Sequence, residues 1–198
     1  MTSQIQPLAY TSPYAWIFWA VFLAAYVPEF ALIARSKPAA GERTDRGSMG
    51  LIMLAGWLAF PAAFAVASWS KFALLHHRIV WFALGIAILA AGSMLRRYCF
   101  RTLGRFFTGN VKVHADHTVI EHGPYRFVRH PSYTGGMLMY LGTGLALTNW
   151  LSALILVGMG AITYAYRVHV EEQAPGNSIG PPYREYMRRT KRFIPFVF

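Results

Sequence analysis

The chain is short of cysteine, of acid and of charge altogether. Eight Asp and Glu stand against 19 Lys and Arg in 198 residues, and only 14% of residues are charged. Soluble domains carry about 25% charged residues, so a typical soluble enzyme is excluded. The single cysteine, Cys99, rules out a disulfide scaffold and a sulfur-ligated metal. Four histidines (His114, His117, His122 and His130) crowd one stretch. No recurring carboxylate–histidine spacing accompanies them, and no metal centre is expected. A Gly-x-Gly-x-x-Gly turn after a strand is also missing, which removes a Rossmann unit. The shortage of charge is matched by 55% apolar residues, above the usual share of about 45–50%, and this excludes a disordered chain. Mean hydropathy is +0.33, yet the net charge is +11 and the pI near 10.2. These facts agree if the apolar residues lie in lipid and the charges outside it. No soluble reading face for nucleic acid is left.

Four apolar runs are present, Tyr14 to Ala34, Gly50 to Trp69, Ile79 to Tyr98 and Thr134 to Tyr166. A membrane helix needs roughly 20 such residues. The second run has no charge and no polar face, unlike a helix of a soluble bundle. The last run, 33 residues without a charge, is too long for one span and is interrupted at Thr148-Asn149-Trp150. Asn disfavours helix continuation and Trp favours the interface. A hairpin of two short spans, 134–148 and 150–166, is expected. The fold class is therefore an all-α polytopic membrane protein with about five transmembrane helices. The first run is not a cleaved signal peptide. It lacks a basic n-region, and Pro28-Glu29 stands where a small-residue cleavage site would fall.

Five spans sort the basic residues. Loops 35–49 and 96–133 and the tail from Arg167 share one side with 17 of them, against 2 on the other. Basic residues are retained in the cytoplasm, so the tail is expected there and the N-terminus outside. Reading 134–166 as one element would split the cluster. The excess charge thus reports topology and contact with anionic lipid head groups, about 1 kcal/mol per basic residue. Met94 to Phe107 places Arg97, Arg101 and Arg105 on one helical face; together with Arg96 it reads as an interfacial anchor. Glu29 lies inside an apolar run, where an acidic residue is a functional candidate by default. Near a cytoplasmic helix end it can equally snorkel or pair with Arg35.

The candidate chemistry is all cytoplasmic. Val111-Lys112-Val113 alternates like a strand, and Gly123-Pro124 marks a turn. Pro131 suits the first turn of the fourth span, whose free N–H groups favour an anion such as a carboxylate. Arg167 and Glu171 are four apart and share a helix face. As an ordinary surface pair they would be worth only about 0.3–0.5 kcal/mol. His130 by itself reads as a capping or packing residue as readily as a ligand.

Taken together these residues form a pattern. His117-Thr118-Val119-Ile120 is followed by Gly123-Pro124-Tyr125 and by Arg129-His130-Pro131-Ser132-Tyr133. Arg167 with Glu171-Glu172 comes next, then Gly180, Tyr183, Tyr186, Thr190 and Pro195. The pattern resembles the isoprenylcysteine carboxyl methyltransferases and their phospholipid-methyltransferase relatives, over roughly residues 100–198. The resemblance implies S-adenosylmethionine as methyl donor, in a cytoplasmic pocket formed by the C-terminal half. His117, Thr118, Val119, Ile120, Tyr125, His130, Pro131, Ser132 and Tyr133 would hold that cofactor. Arg167 and Glu171 would be catalytic and face a lipid-like acceptor entering sideways from the membrane. Arg167 could fork the acceptor carboxylate. Glu171 could orient Arg167, favour the sulfonium, or act as base on an amine. The chain then divides into N-terminal membrane helices, 1–98, and a methyltransferase core, 99–198. The expected activity is carboxyl methylation of an isoprenylcysteine-like substrate. The alternatives are N- or S-methylation of a phospholipid or small amphiphile, and a non-catalytic lipid-binding protein. One departure from the family is Pro175-Gly176, which should stop or kink the fifth helix within a turn.

Overall fold

The longest apolar run breaks at Asn149, and the architecture follows from how that break is held. In the computed structural model, which describes residues 6–35, 47–74, 76–104, 119–178 and 181–193, six α-helices are formed. They are α1 (Tyr14–Arg35), α2 (Ser48–Val66), α3 (Arg78–Leu103), α4 (Pro131–Ala146), α5 (Trp150–Ser178) and α6 (Pro181–Arg189). Among the described residues there is no strand beyond two isolated bridges. Thr148 takes the left-handed conformation, φ 52°, just beyond the end of α4. Asn149 Oδ1 then accepts from the amides of Leu151 and Ser152 at 3.0 and 3.1 Å, an N-cap for α5. Its Nδ2 donates to the carbonyls of Val66 and Ala67 at the end of α2 and of Trp69 in the turn beyond it. One fully buried side chain thus starts one helix and finishes another.

The expected hairpin is therefore present, but its arms are unequal. Four helices are long and apolar enough to cross a membrane: Tyr14–Ala34, Ser48–Val66, Arg78–Leu103 and Trp150–Gln173. The other hairpin arm, α4, has 16 residues, about 24 Å at 1.5 Å per residue. The third run and its expected interfacial extension form a single 26-residue helix, α3, closed by Gly104 at φ 50°. Arg105 and the strand-like Val111-Lys112-Val113 fall outside the described residues. α5 ends at Ser178, three residues beyond Pro175, as that proline predicts.

Glycine lets α4 sit deep between α3 and α5. A Cβ on Gly142 would lie 2.7 Å from the Gly85 carbonyl oxygen, and one on Gly92 would lie 2.6 Å from that of Gly135. Both obstacles are backbone, so only glycine allows this approach of α3 and α4. On the other side Gly144 packs on Ala153 of α5. The outer helices show the opposite character. Trp16 of α1 and Leu58 of α2 are 78% and 58% exposed, as side chains facing lipid tails would be.

Polar contacts tie the two ends of the bundle separately. At one end lie Asn149, the end of α2 and the Tyr10 hydroxyl, which donates to the Phe64 carbonyl at 2.8 Å. At the other, Arg167 of α5 reaches Ser48 at the start of α2 (2.8 Å) and Arg96 of α3 reaches Glu29 of α1 (2.6 Å). Glu29 thus pairs with Arg96, and the side chain of Arg35, its other expected partner, lies outside the described residues. One expectation is corrected, since Arg96 is buried in the bundle and not laid along an interface. The reason is geometric: α3 turns Arg96 inward, against the small residues Gly135 and Gly136.

Candidate active site

Pro131 opens α4 as its fixed φ predisposes it to, and this places His130, Ser132 and Tyr133 at the helix mouth. α5 brings Arg167, Glu171 and Glu172 opposite them. Glu171 Oε1 accepts from Arg167 Nε at 2.8 Å and from the Tyr133 hydroxyl at 2.5 Å. Arg167 Nε also approaches the Tyr133 oxygen at 3.3 Å. The imidazole of His130 lies between the two carboxylates, Nδ1 3.5 Å from Glu171 Oε2 and Nε2 3.3 Å from Glu172 Oε1. Glu172 in turn accepts from Arg129 Nε and Arg192 Nη2, both at 2.9 Å. Burial by itself would lower the pKa of His130. Its hydrogen bonds to Glu171 and Glu172, and their negative charges, outweigh that and raise it above the ordinary histidine value.

The C-terminal segment closes over this cluster. The amides of Arg129 and His130 donate to the carbonyls of Lys191 and Arg192 at 2.8 and 2.9 Å, and Thr134 Oγ1 donates to that of Phe193 at 2.9 Å. Arg129 Nη1 donates to the carbonyls of Met187 and Thr190. The Tyr186 hydroxyl of α6 donates to the Tyr125 carbonyl at 2.7 Å. Burial pushes the Tyr186 phenol up to about 12, so it stays a donor at neutral pH. Arg129 thus joins α5, α6 and the loop before α4, and the tail lies across the motif like a strap.

A cavity of about 510 Å³ lies beside the cluster within the bundle. Phe22 and Glu29 of α1, Trp57 of α2, Arg96 of α3, Tyr140 of α4 and Tyr164 of α5 line it. Tyr164 is a shared wall. Its ring stacks on Tyr140 at 5.9 Å and on Tyr133 at 4.8 Å, and Tyr133 carries the bond to Glu171. An apolar chamber of the bundle therefore abuts the charged cluster through one aromatic layer.

Of the expected site residues, His130, Ser132, Tyr133, Arg167 and Glu171 are brought together, with Tyr125 buried beside Ser132. Pro131 contributes the helix start. Val119 and Ile120 are half-buried, and His117 and Thr118 lie outside the described residues. Ser48, Arg96, Arg129 and Arg192 were not foreseen as site residues. Arg96 carried a signal, a charge entering an apolar run. Ser48 carried none, being 119 positions from its partner.

Comparison with known proteins agrees with the geometry. Residues 83–175 match the family described as isoprenylcysteine carboxyl methyltransferase (ICMT). A probable protein-S-isoprenylcysteine O-methyltransferase of Oryza sativa subsp. indica is 29% identical over 189 residues, covering 92% of this chain and 96% of the relative. Protein-S-isoprenylcysteine O-methyltransferase A of Arabidopsis thaliana is 32% identical over 115 residues, 57% of this chain and 58% of its own. The fold is that of a eukaryotic intramembrane Ras methyltransferase, ICMT, with a TM-score of 0.71 at 22% identity over 96% of this chain and 70% of that one. The matched segment contains the α4–α5 hairpin, the carboxylate pair and Arg96, and over it this chain is similar to the isoprenylcysteine carboxyl methyltransferase family.

Proposed function

We propose that this chain is an integral membrane methyltransferase that uses S-adenosylmethionine to methylate the carboxylate of an isoprenylcysteine-like acceptor at the cytoplasmic face. The observation that carries this reading is the shared Tyr164 wall. It sets an apolar, lipid-sized chamber directly against the His130–Tyr133–Glu171 cluster. In support of five crossings, the contacts put the two ends of α4 at opposite ends of the bundle: Asn149 beside the end of α2, and the motif beside Arg167 and Ser48 at its start. Five crossings keep the 17-to-2 sorting of basic residues, hence a cytoplasmic tail and an outside N-terminus.

The donor set suits the cofactor. A sulfonium is a cation, and Glu171 and Glu172 are carboxylates beside aromatic rings, the surroundings that stabilise one. Tyr125 and His130 through Tyr133 would hold it, with His117 through Ile120 completing the site. When bound, it supplies a methyl group that a carboxylate oxygen can take with no proton transfer. The protein therefore needs no general base, and its tasks are placement and exclusion of water. Arg167 and Tyr133 hold Glu171 in one rotamer, and the strap at Lys191–Phe193 shields the motif. Glu171 supplies fixed negative charge near the sulfonium, with Arg167 orienting it.

Transfer of a radiolabelled methyl group in purified membranes tests this. A prenylcysteine acid, phosphatidylethanolamine and a short thiol serve as rival acceptors. The prenylcysteine acid is expected to be labelled, and Glu171→Gln or Arg167→Ala to lower transfer by about 10²–10³. Labelling of phosphatidylethanolamine alone would overturn the acceptor assignment. Absence of any heat on titration with S-adenosylhomocysteine would return the chain to a non-catalytic lipid-binding role.

A further inference from the structure

Apart from the hydroxyls of Tyr26, Tyr140 and Tyr164 the chamber lining is apolar, and its charged side chains meet at one point. There Arg96 Nε donates to Glu29 Oε1 at 2.6 Å, with the two side chains 9% and 11% exposed. Arg96 Nη1 donates to the Ser132 carbonyl at 2.9 Å, and its guanidinium lies 5.0 Å from the Phe100 ring centroid. Among the described residues, Nη2 has no hydrogen-bond partner, although Arg96 lines the chamber. A guanidinium nitrogen in such a place suits an anionic oxygen. Arg167 is differently placed. It is 3% exposed, gives Nε to Glu171 and Tyr133 and Nη1 to Ser48, and is absent from the chamber wall. Glu29 stands outside the family match at 83–175, so the pair joins the first helix to the matched core.

We propose that the Glu29–Arg96 pair anchors the head group of the acceptor. Arg96 Nη2 takes one oxygen of the acceptor carboxylate while the hydrocarbon tail lies along the chamber, and Glu29 weakens that grip by its own negative charge. The inference rests on the methyl-transfer reading above for the identity of the anion. It has a functional logic. The acid is held by charge, whereas the neutral methyl ester is not, so the product leaves. Glu29 keeps the acid from binding so tightly that turnover suffers.

Competition binding in detergent, with a fluorescent prenylcysteine displaced by the free acid or by its methyl ester, tests the anchor without requiring turnover. Glu29→Gln keeps the acceptor oxygen for Arg96 Nε but removes the charge. It is expected to tighten the acid about tenfold and leave the ester unmoved. Arg96→Gln, and less severely Arg96→Lys, is expected to weaken the acid about tenfold, again sparing the ester. S-adenosylhomocysteine affinity serves as the fold control. If acid and ester move together, or Glu29→Gln weakens the acid with that control intact, the anchor is wrong. Methyl transfer by the wild type without this pattern sinks the anchor alone. The pattern without transfer upholds the anchor and sinks the methyltransferase reading.

Discussion

Replacing Asn149 by Ala removes five hydrogen bonds from one fully buried position at the far end of the bundle from the carboxylates. Loss of the N-cap on α5 costs about 1 kcal/mol. Taking this donor from the Ala67 carbonyl costs about 1–2 kcal/mol more, while the Val66 and Trp69 carbonyls keep the amides of Trp69 and Phe72. The expected loss is about 2–3 kcal/mol, or about 4–12 °C in thermal midpoint for a chain of this size. Asn149→Ser separates the two parts, since its hydroxyl can still cap α5 but cannot serve three carbonyls. It should recover about 1 kcal/mol. Cys99 provides the readout. It is the one cysteine and is fully buried, so a fluorogenic thiol reagent reports unfolding in detergent directly. A midpoint within about 1 °C of wild type, or equal midpoints for the Ala and Ser variants, would refute the claim that Asn149 fastens the hairpin to α2. Below its lowered midpoint the Ala variant should still bind S-adenosylhomocysteine, because the site is at the other end.

Three further outcomes follow from the geometry. Gly142→Ala sets a Cβ 2.7 Å from the Gly85 carbonyl, and with backbone on both sides it should cost about 1–3 kcal/mol by the same thiol assay. Gly158→Ala meets nothing within 4 Å and should be neutral or stabilising. His130 has a folded pKa raised by Glu171 and Glu172 against the pull of burial. Its share of stability is therefore complete below its unfolded pKa of about 6.5, and is lost as pH rises through the higher folded value. Thermal midpoints across that window should fall with rising pH, and His130→Gln should flatten the fall. A slope that survives the substitution would assign the titration to another group.

Five apolar elements, the break at Asn149 and the helix start at Pro131 were all legible in the chain, because each depends on residues close in sequence. A run of 20 apolar residues needs no partner to declare itself, and Asn and Pro act on their own backbone. The arm lengths were less legible. α4 could be short because glycine buries it between α3 and α5, and α5 could run on to Ser178 because its C-terminal part is held by Arg167, Glu171 and Glu172.

The carboxylate cluster divides in the same way. Arg167 and Glu171, four apart on one helix, and the His130–Tyr133 segment were visible as motifs, and family resemblance named their chemistry. Their joining through Tyr133 and His130 was not, nor was Arg129 as the tie between α5 and the tail. Glu29 shows the limit most plainly. In sequence it could snorkel or pair with nearby Arg35, and nothing there pointed to the ion pair it makes with Arg96, 67 positions away. Sequence alone determined that this is a basic, all-helical membrane protein with a methyltransferase motif. Only the packing of α1 against α3 and α4 decided which charges meet. A buried ion pair must satisfy its partners across helices, and that depends on how the helices cross, not on how far apart the residues lie along the chain.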